Sequence, residues 1–224
     1  MTVVYCVRHG QSLANAGGVT MEHSAIPLSP LGLAQAAALP GAFASVVAVP
    51  PARVLVSSYV RAVQTALPFC ERFGRQAEAD PLLHEFSALD ANLLQGLLGY
   101  ERRPLADAYW QAADPALRAG PDAETFFEFD ARVDAFATST LPLLPDGSVL
   151  FGHGIWFALL FWRLMGFAIE GSEDMVAFRR FRQGLPMPNC AVYALENVDG
   201  RWSPKARDEL MRDMALVAAA PVCE

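Results

Sequence analysis

Four residues in three separate segments combine side chains that can bind an anion and react with it. Arg8 and His9 directly follow an apolar run at residues 3–7. Arg61 comes shortly after a second apolar run, and His153 stands between two glycines after a third. Arginine binds anionic oxygens through several N–H donors, and a histidine nitrogen can act as a nucleophile. These residue types favour an anion site that contains a nucleophile.

The apolar runs predict the strands that position these side chains. The runs at residues 3–7, 53–56, 149–151 and 191–195 are short and mostly apolar or β-branched, which is typical of buried strands. In an open α/β sheet, ligands bind at the carboxyl ends of the strands. We therefore expect a three-layer α/β/α sandwich with a mostly parallel central sheet, and the arginines and histidines at one edge of that sheet.

Helical patterns alternate with these strands. Ser29 and Pro30 are typical of a helix N-cap and first position, and the helix is expected to break at residues 40–41. Residues 92–120, which are rich in glycine and proline, predict a small helical lid within one domain that spans residues 1–224. Further helices are predicted over residues 59–73, 122–136, 155–169 and 205–218.

Loops add two polar side chains that can reach the same edge. Asn15 lies six residues after His9, and it could bind an anion or satisfy its own backbone. Glu85 lies in a loop beside apolar residues. Two arginines, two histidines, an amide and a carboxylic acid are the groups that transfer of a dianionic phosphoryl group through a covalent intermediate requires. The sequence shows neither a carboxylate cluster for magnesium nor a glycine-rich nucleotide loop.

Composition and charge argue against several classes of partner. The 224 residues are 53% hydrophobic with a formal net charge of −7, which permits a sizeable core and disfavours nucleic acid and anionic membranes. The cysteines are Cys6, Cys70, Cys190 and Cys223. Their spacing does not suit zinc, and Cys6 and Cys190 are interpreted as free buried thiols. Segment 155–169 predicts a core helix rather than a membrane span, and without a signal peptide the location is expected to be cytoplasmic.

The chain resembles the histidine phosphatase superfamily, also called the phosphoglycerate mutase-like family. The resemblance rests on four motifs in the family's order and spacing, which are Arg8-His9-Gly10-Gln11-Ser12 with Asn15, residues 28–36, residues 57–66, and Gly152-His153-Gly154. The motifs span most of the chain, and together they are far more specific than Arg-His-Gly alone.

The resemblance implies a role for each candidate residue. His9 would be the nucleophile that accepts the phosphoryl group, and Glu85 would protonate the leaving oxygen and later activate water. The phosphoryl oxygens would be bound by Arg8, Asn15, Arg61 and His153, of which His153 is also counted as catalytic. The implied substrate is a small phosphate ester, and no metal or organic cofactor is implied.

Two positions depart from the family pattern. Tyr59 stands where the third motif usually has proline, which we interpret as a detail of the helix start. The segment after Glu85 lacks the frequent Trp-Glu-Gly of the family and has Gln-Gly-Leu at residues 95–97. His84 and Asp90 therefore stay as alternatives to Glu85 for the acid, although Glu85 is preferred.

Phosphatase, mutase and a non-catalytic phosphate-binding module are three functions consistent with these motifs. Glycolytic mutases that resemble the family carry Phe-Thr-Gly-Trp after the first motif, where this chain has the small, neutral residues 16–21. Arg102 and Arg103 could hold the second phosphate of a mutase substrate, or they could form a solvated face of the lid. We interpret them as a solvated face. Hydrolysis is therefore expected, with specificity residing in the lid, in residues 16–21 and in the basic run 179–182. A homodimer is possible.

Overall fold

The computed structural model describes residues 1–47 and 50–219. Within these ranges the chain forms the strands β1 Thr2–Arg8, β2 Val54–Val56, β3 Ala77–Ala79, β4 Ser148–Gly152, β5 Val192–Val198 and β6 Arg201–Ala206. The α-helices of the same ranges are α1 Pro30–Val46, α2 Val60–Phe73, α3 Ala91–Leu94, α4 Gly99–Ala112, α5 Phe126–Ala135, α6 Gly154–Leu164, α7 Ser172–Gly184 and α8 Asp208–Ala219.

The six strands form one sheet in the order β3-β2-β4-β1-β5-β6. The strands β3, β2, β4 and β1 are parallel, whereas β5 and β6 pair antiparallel. Arg8 at the end of β1 is in register with Gly152 at the end of β4. This pairing brings the residues that follow each strand, His9 and His153, to the same edge of the sheet, as the sequence predicts.

Helices cover both faces of the sheet, which confirms the predicted three-layer α/β/α architecture. On one face, α5, α6 and α7 contribute the buried aromatic residues Phe129, Phe161 and Phe178. On the other face, α1 and α2 contribute Phe43 and Phe69, and α8 packs beside them. The two apolar layers fix the sheet, and with it the strand ends that carry the site.

Helix α1 continues through Pro40, so the predicted break at residues 40–41 is wrong. Its start is as predicted, because Ser29 accepts a hydrogen bond from the backbone N–H of Gly32. Leu39 and Phe43 on either side of Pro40 are buried. Burial of each such side chain contributes about 1.5–3 kcal/mol, and the two together offset the roughly 3 kcal/mol cost of a proline inside a helix.

The sequence does not predict the strands β3 and β6. All residues of β3 are exposed, and β6 alternates half-buried and exposed positions, so neither forms an apolar run. Both lie at sheet edges, where one neighbouring strand is enough to hold them. The sequence predicts that the last helix begins at Lys205. Because β6 extends to Ala206, α8 begins at Asp208 instead.

The predicted lid is helical but is not separate from the core. Its helices are α3 and α4, and Tyr109 and Trp110 of α4 are buried against Phe86, Phe126 and Phe178. These two aromatic side chains thus anchor the lid and do not form an apolar surface for a substrate.

The remaining predictions about the core are confirmed where the structure describes them. Cys6, Cys70 and Cys190 are free and buried, whereas Cys223 lies outside the described residues. Helix α6 is a buried core helix as predicted, although it ends at Leu164 and not at residue 169, and its Arg163 is paired with Asp130 and Asp134 of α5. Across the two described ranges, no helix combines the length and the apolar character that crossing a membrane requires.

Candidate active site

The imidazole of His9 is held in one orientation at the end of β1. It is 4% exposed, and its Nδ1 lies 2.7 Å from the carbonyl oxygen of Gly10. Because a carbonyl oxygen only accepts, Nδ1 carries the proton and Nε2 keeps its lone pair. Burial, followed by the charges of Arg61 and Arg8, lowers the pKa of His9 well below its ordinary value. His9 is therefore a neutral imidazole whose Nε2 can act as a nucleophile.

Arg61 lies in the first turn of α2 and contacts His9 directly. Its Nε donates to Nε2 of His9 at 3.3 Å, and one terminal nitrogen donates to the carbonyl of His23 at 2.7 Å. Thr65 donates to the carbonyl of Arg61 and accepts from the backbone N–H of Gly10, which joins α2 to the loop after β1. The helix macrodipole disfavours a cation in a first turn, so an anion bound beside Arg61 would stabilise it.

Arg8 extends from the last residue of β1 into the space below helix α6. One terminal nitrogen donates to the carbonyl of Met187, while Nε is buried and has no hydrogen-bond partner among the described residues. Burial lowers the pKa of Arg8. A Cβ atom added to Gly154 would lie 3.2 Å from Nε of Arg8, so the glycine gives the guanidinium room to approach the helix terminus.

His153 occupies the N-cap position of α6 and is fully buried. Its Nε2 lies 2.8 Å from the hydroxyl of Ser57, and its ring centroid lies 5.2 Å from that of His9. Burial, followed by the charge of Arg61, lowers the pKa of His153 well below its ordinary value. Nδ1 is buried without a hydrogen-bond partner in the described part of the chain. A bound anion that presented a protonated oxygen could use it as an acceptor.

Tyr59 connects several residues of the site. It is the N-cap residue of α2, and its ring lies 4.9 Å from the guanidinium carbon of Arg61. The same ring packs on His153 at 5.1 Å and on His84 at 4.9 Å between centroids. Tyr59 therefore packs behind Arg61 and His153 and lines a neighbouring pocket together with His84, in addition to starting the helix.

The carboxylate of Glu85 is fixed at the N-terminus of α6. It accepts hydrogen bonds from the backbone N–H groups of Ile155 at 3.1 Å and Trp156 at 3.0 Å, and from that of Phe86 at 3.0 Å. The unsatisfied N–H groups and the macrodipole at a helix start both favour an anionic side chain there. The structure thus holds the Glu85 carboxylate beside Gly154, in the same cavity as His9.

The two alternative acids lie elsewhere. His84 contacts the hydroxyl of Ser58 at 2.8 Å and stacks on Tyr59, outside the cavity that contains His9. Asp90 is buried and accepts from the backbone N–H groups of Asn92 and Asp122, so it stabilises the start of α3 and the loop before α5. Of the three candidates, the structure brings only Glu85 to His9.

Asn15 is oriented by a residue that the sequence did not single out. Its Oδ1 accepts from Nδ2 of Asn189 at 3.1 Å and from the backbone N–H of Ser12 at 3.4 Å. Nδ2 of Asn189 also donates to the carbonyl of His9 at 3.2 Å. Because the oxygen of Asn15 is occupied, its NH₂ group remains to donate into the cavity. Asn189 follows a proline before β5, and only the fold brings it to Asn15.

A cavity of about 470 Å³ is lined by Arg8, His9, Asn15, Arg61 and Glu85, among others, whereas His153 and Tyr59 lie behind these residues and are not part of its lining. Its charged residues are Arg8, Arg61, Glu85, Arg102 and Arg182. None of the four arginines forms an ion pair with an acidic side chain in the ranges that the structure describes. The cavity therefore carries an excess of positive charge, which favours an anionic ligand.

Two further arginines line the cavity, and one of them, Arg102, differs from its interpretation as a solvated residue. Arg102 lines the cavity, and its guanidinium donates to the carbonyl of Ala14 at 2.9 Å, whereas Arg103 is exposed. Arg182, which belongs to the basic run 179–182 where the sequence places part of the specificity, also lines the cavity. The run lies on helix α7, whose packing on the lid turns Arg182 inward. His23 lines the cavity as well.

The arrangement can bind and attack a tetrahedral anion. A neutral imidazole nitrogen lies among guanidinium groups, which neutralise anionic oxygens and so reduce their repulsion of a nucleophile. A carboxylate fixed at a helix N-terminus in the same cavity can exchange a proton with an oxygen bound near His9.

Comparisons with known proteins show the family and the fold of this chain. The family model described as histidine phosphatase superfamily (branch 1) matches residues 4–209. A solved mycobacterial glucosyl-3-phosphoglycerate phosphatase is similar, with a TM-score of 0.67 and 23% identity over 92% of this chain and 98% of that chain. So is the alpha-ribazole phosphatase from Shigella flexneri, with a TM-score of 0.69 and 20% identity over 91% of this chain and 95% of that one. No curated protein matches by sequence.

Proposed function

The chain belongs to the histidine phosphatase superfamily (branch 1), and from this premise we propose that it is a metal-independent phosphomonoesterase. The family match and the phosphatases among the similar structures support phosphatase activity. We propose that the reaction proceeds through a phosphohistidine on His9 and that the substrate is a small phosphate ester.

The tautomer and the position of the His9 imidazole support this proposal most directly. Its proton is on Nδ1, bound to the Gly10 carbonyl, and its Nε2 faces Arg61 inside a cavity lined by arginines. A phosphoryl group that enters this cavity would take the place of Nε2 as an acceptor for Arg61. Arg8 and Asn15 would bind further phosphoryl oxygens, and His153 would contact the same group.

The proposed reaction has two steps, in which Glu85 acts first as the general acid and then as the general base. Nε2 of His9 attacks phosphorus, the P–O bond to the leaving group breaks, and protonated Glu85 gives its proton to the leaving oxygen. Water then attacks the phosphohistidine, the P–N bond breaks, and Glu85 takes the proton from the water. The backbone N–H groups of α6 hold Glu85 in place during both steps.

A mutase is the second candidate, and Arg102 is the observation that favours it. Because Arg102 lines the cavity, a second phosphate could bind there while the first is on His9. Hydrolysis is preferred because Arg103 is exposed and residues 16–21 are small and neutral. A phosphate-binding module without catalysis is a third candidate, which turnover would exclude.

The test combines substrate turnover with trapping of the phosphoenzyme. The protein is incubated with a panel of phosphate monoesters in the presence of a metal chelator, and released phosphate is measured. We expect release, a phosphohistidine in rapidly quenched samples, and loss of both in His9→Ala. Absence of release and of phosphohistidine would overturn the proposal. Formation of 2-phosphoglycerate from 3-phosphoglycerate and 2,3-bisphosphoglycerate, faster than phosphate release, would identify a mutase instead.

A further inference from the structure

Arg182 enters the cavity of His9 from helix α7, on the far side of the lid. Its guanidinium carbon lies 5.3 Å from the ring centroid of Trp110, so the aromatic face holds the side chain by a cation–π contact. Trp110 is itself buried in the core. Arg182 is therefore positioned by the packing of α4 against α7, and it is not a freely moving surface residue.

The charge of Arg182 is not neutralised by the chain. Its Nε is buried and lacks a hydrogen-bond partner within the described residues, and no acidic side chain of these residues pairs with it. The neighbouring Arg179 on the same helix differs, because it lies 3.3 Å from Asp107. Arg182 is half-buried, and its buried Nε donor is left without a partner, which is costly, so the residue is expected to gain a partner from a ligand.

The net charge of the cavity indicates that the partner of Arg182 is an anionic group of the ligand. Four guanidinium groups and Glu85 line the cavity, which leaves an excess of three positive charges when Glu85 is ionised and of four when it is protonated, as the first proposed step requires. A phosphomonoester dianion supplies two negative charges. Arg8 and Arg182 also repel each other, and this repulsion adds to the effect of burial on the pKa of Arg8. One more anionic group on the substrate would balance the cavity and separate these two cations.

We propose that Arg182 binds a second anionic group of the substrate, a carboxylate or a second phosphate, while Arg8 and Arg61 hold the phosphoryl group to be transferred. This inference rests on the proposed phosphatase function and defines its substrate class. Bidentate N–H donors suit either kind of anionic group, and the aromatic support of Trp110 limits the motion lost on binding.

Binding of matched phosphonates tests the subsite without requiring turnover. We compare propylphosphonate, 3-phosphonopropionate and propane-1,3-diphosphonate by isothermal titration calorimetry with the wild-type protein and with three variants. The wild type is expected to bind at least one of the doubly anionic ligands about tenfold or more tightly than propylphosphonate. The tighter of the two identifies the second group as carboxylate or phosphate.

The variants assign this preference to Arg182. In Arg182→Gln the ratio is expected to fall to about one or two, and Arg182→Lys should keep part of it because the charge is retained. Arg179→Gln is the matched control, since it removes a positive charge from the same helix outside the cavity, and it should keep the wild-type ratio. Melting temperatures show whether each variant is folded.

Two results separate the failure of this inference from failure of the proposed function. Hydrolysis of phenyl phosphate by a wild type that binds all three phosphonates equally would overturn the second-anion site and leave the phosphatase standing. An undiminished ratio in Arg182→Gln would likewise overturn it. Selective binding of the doubly anionic ligands without any turnover of phosphate esters would instead overturn the catalytic proposal and support the subsite.

Discussion

The Nε atom of Arg61 donates a hydrogen bond to Nε2 of His9 across 3.3 Å. A hydrogen bond in this direction requires that Nε2 be unprotonated, and the contact of Nδ1 with the Gly10 carbonyl requires the same tautomer. The first helical turn of α2 and the loop after β1 thus together fix the tautomer of the proposed nucleophile. The arginine that is proposed to bind the phosphoryl group also keeps the imidazole neutral.

Stability is expected to decrease as the pH falls, because two buried histidines stay neutral in the fold. The pKa values of His9 and His153 are lowered by burial and by Arg61, whereas unfolded histidines take up protons near pH 6.5. Below about pH 6.5 the unfolded state therefore binds more protons than the folded state, and the free energy of unfolding decreases as the pH is lowered further. Between pH 7.5 and 5.5, we expect roughly 1 kcal/mol of loss for each of them.

Urea unfolding at the two pH values measures this loss. In His9→Asn and His153→Asn the difference between pH 7.5 and 5.5 should be smaller than in the wild type, since each variant removes one of the histidines. An unchanged difference in both variants would show that other groups cause the pH dependence.

Replacement of Glu85 by glutamine should slow substrates with poor leaving groups most. The glutamine keeps only one of the two oxygens that accept from the N–H groups of Ile155 and Trp156, and it cannot supply a proton to the leaving oxygen. We expect kcat/KM for alkyl phosphates to fall by about 10²-fold or more, and that for aryl phosphates with acidic phenols to fall much less. If both classes slow equally, another group is the acid, and His84→Asn would be measured next.

Arg132 is expected to position Glu85 from outside the cavity. It donates to the carbonyls of Leu82 and His84 at 2.9 and 2.7 Å, and both of its other nitrogens contact Glu124. Arg132→Met should therefore loosen the loop before Glu85. We expect a loss of about 2–3 kcal/mol in the free energy of unfolding, because partly buried partners are left unsatisfied.

The variant Arg53→Met is the control for Arg132, since Arg53 pairs with Glu78 at the exposed surface and should cost less than about 1 kcal/mol. A positioning role also predicts a kinetic effect that a purely structural role would not produce. In Arg132→Met, kcat for alkyl phosphates should fall more than kcat for aryl phosphates. Equal changes for the two classes would limit Arg132 to stability.

Two glycines of helix α1 should respond oppositely to alanine. A Cβ atom on Gly32 would lie 2.0 Å from the carbonyl oxygen of Gln11, which belongs to the first motif, whereas a Cβ on Gly41 meets no atom within 4 Å. We expect Gly32→Ala to destabilise the fold by roughly 3 kcal/mol or more and to lower activity. Gly41→Ala should stabilise it by about 0.5–1 kcal/mol, because alanine favours the helix.

Thermal and urea unfolding of the two variants measure these effects, with turnover of phenyl phosphate as the functional readout. Normal stability and normal turnover in Gly32→Ala would show that α1 can shift away from the first motif without cost.

The strand ends were the most predictable part of the site. Arg8, His9 and His153 directly follow apolar strands, and parallel strands bring their carboxyl ends to one edge whatever packs on their faces. Arg61 is one helical turn beyond such an end. Edge strands β3 and β6 and the course of α1 through Pro40 were not predictable, because tertiary burial and pairing override local preference there.

The sequence by itself determined the family, the α/β class and the residues around the proposed nucleophile, because these lie in contiguous motifs tied to buried strands. Only the tertiary structure separated Glu85 from His84 and Asp90, since neighbours in sequence can point into different cavities. The position of Arg182 in the cavity likewise follows only from the tertiary structure. The position of a long surface helix depends on how its apolar face packs, here against Trp110 and the core, and this packing is set by contacts far apart in the chain.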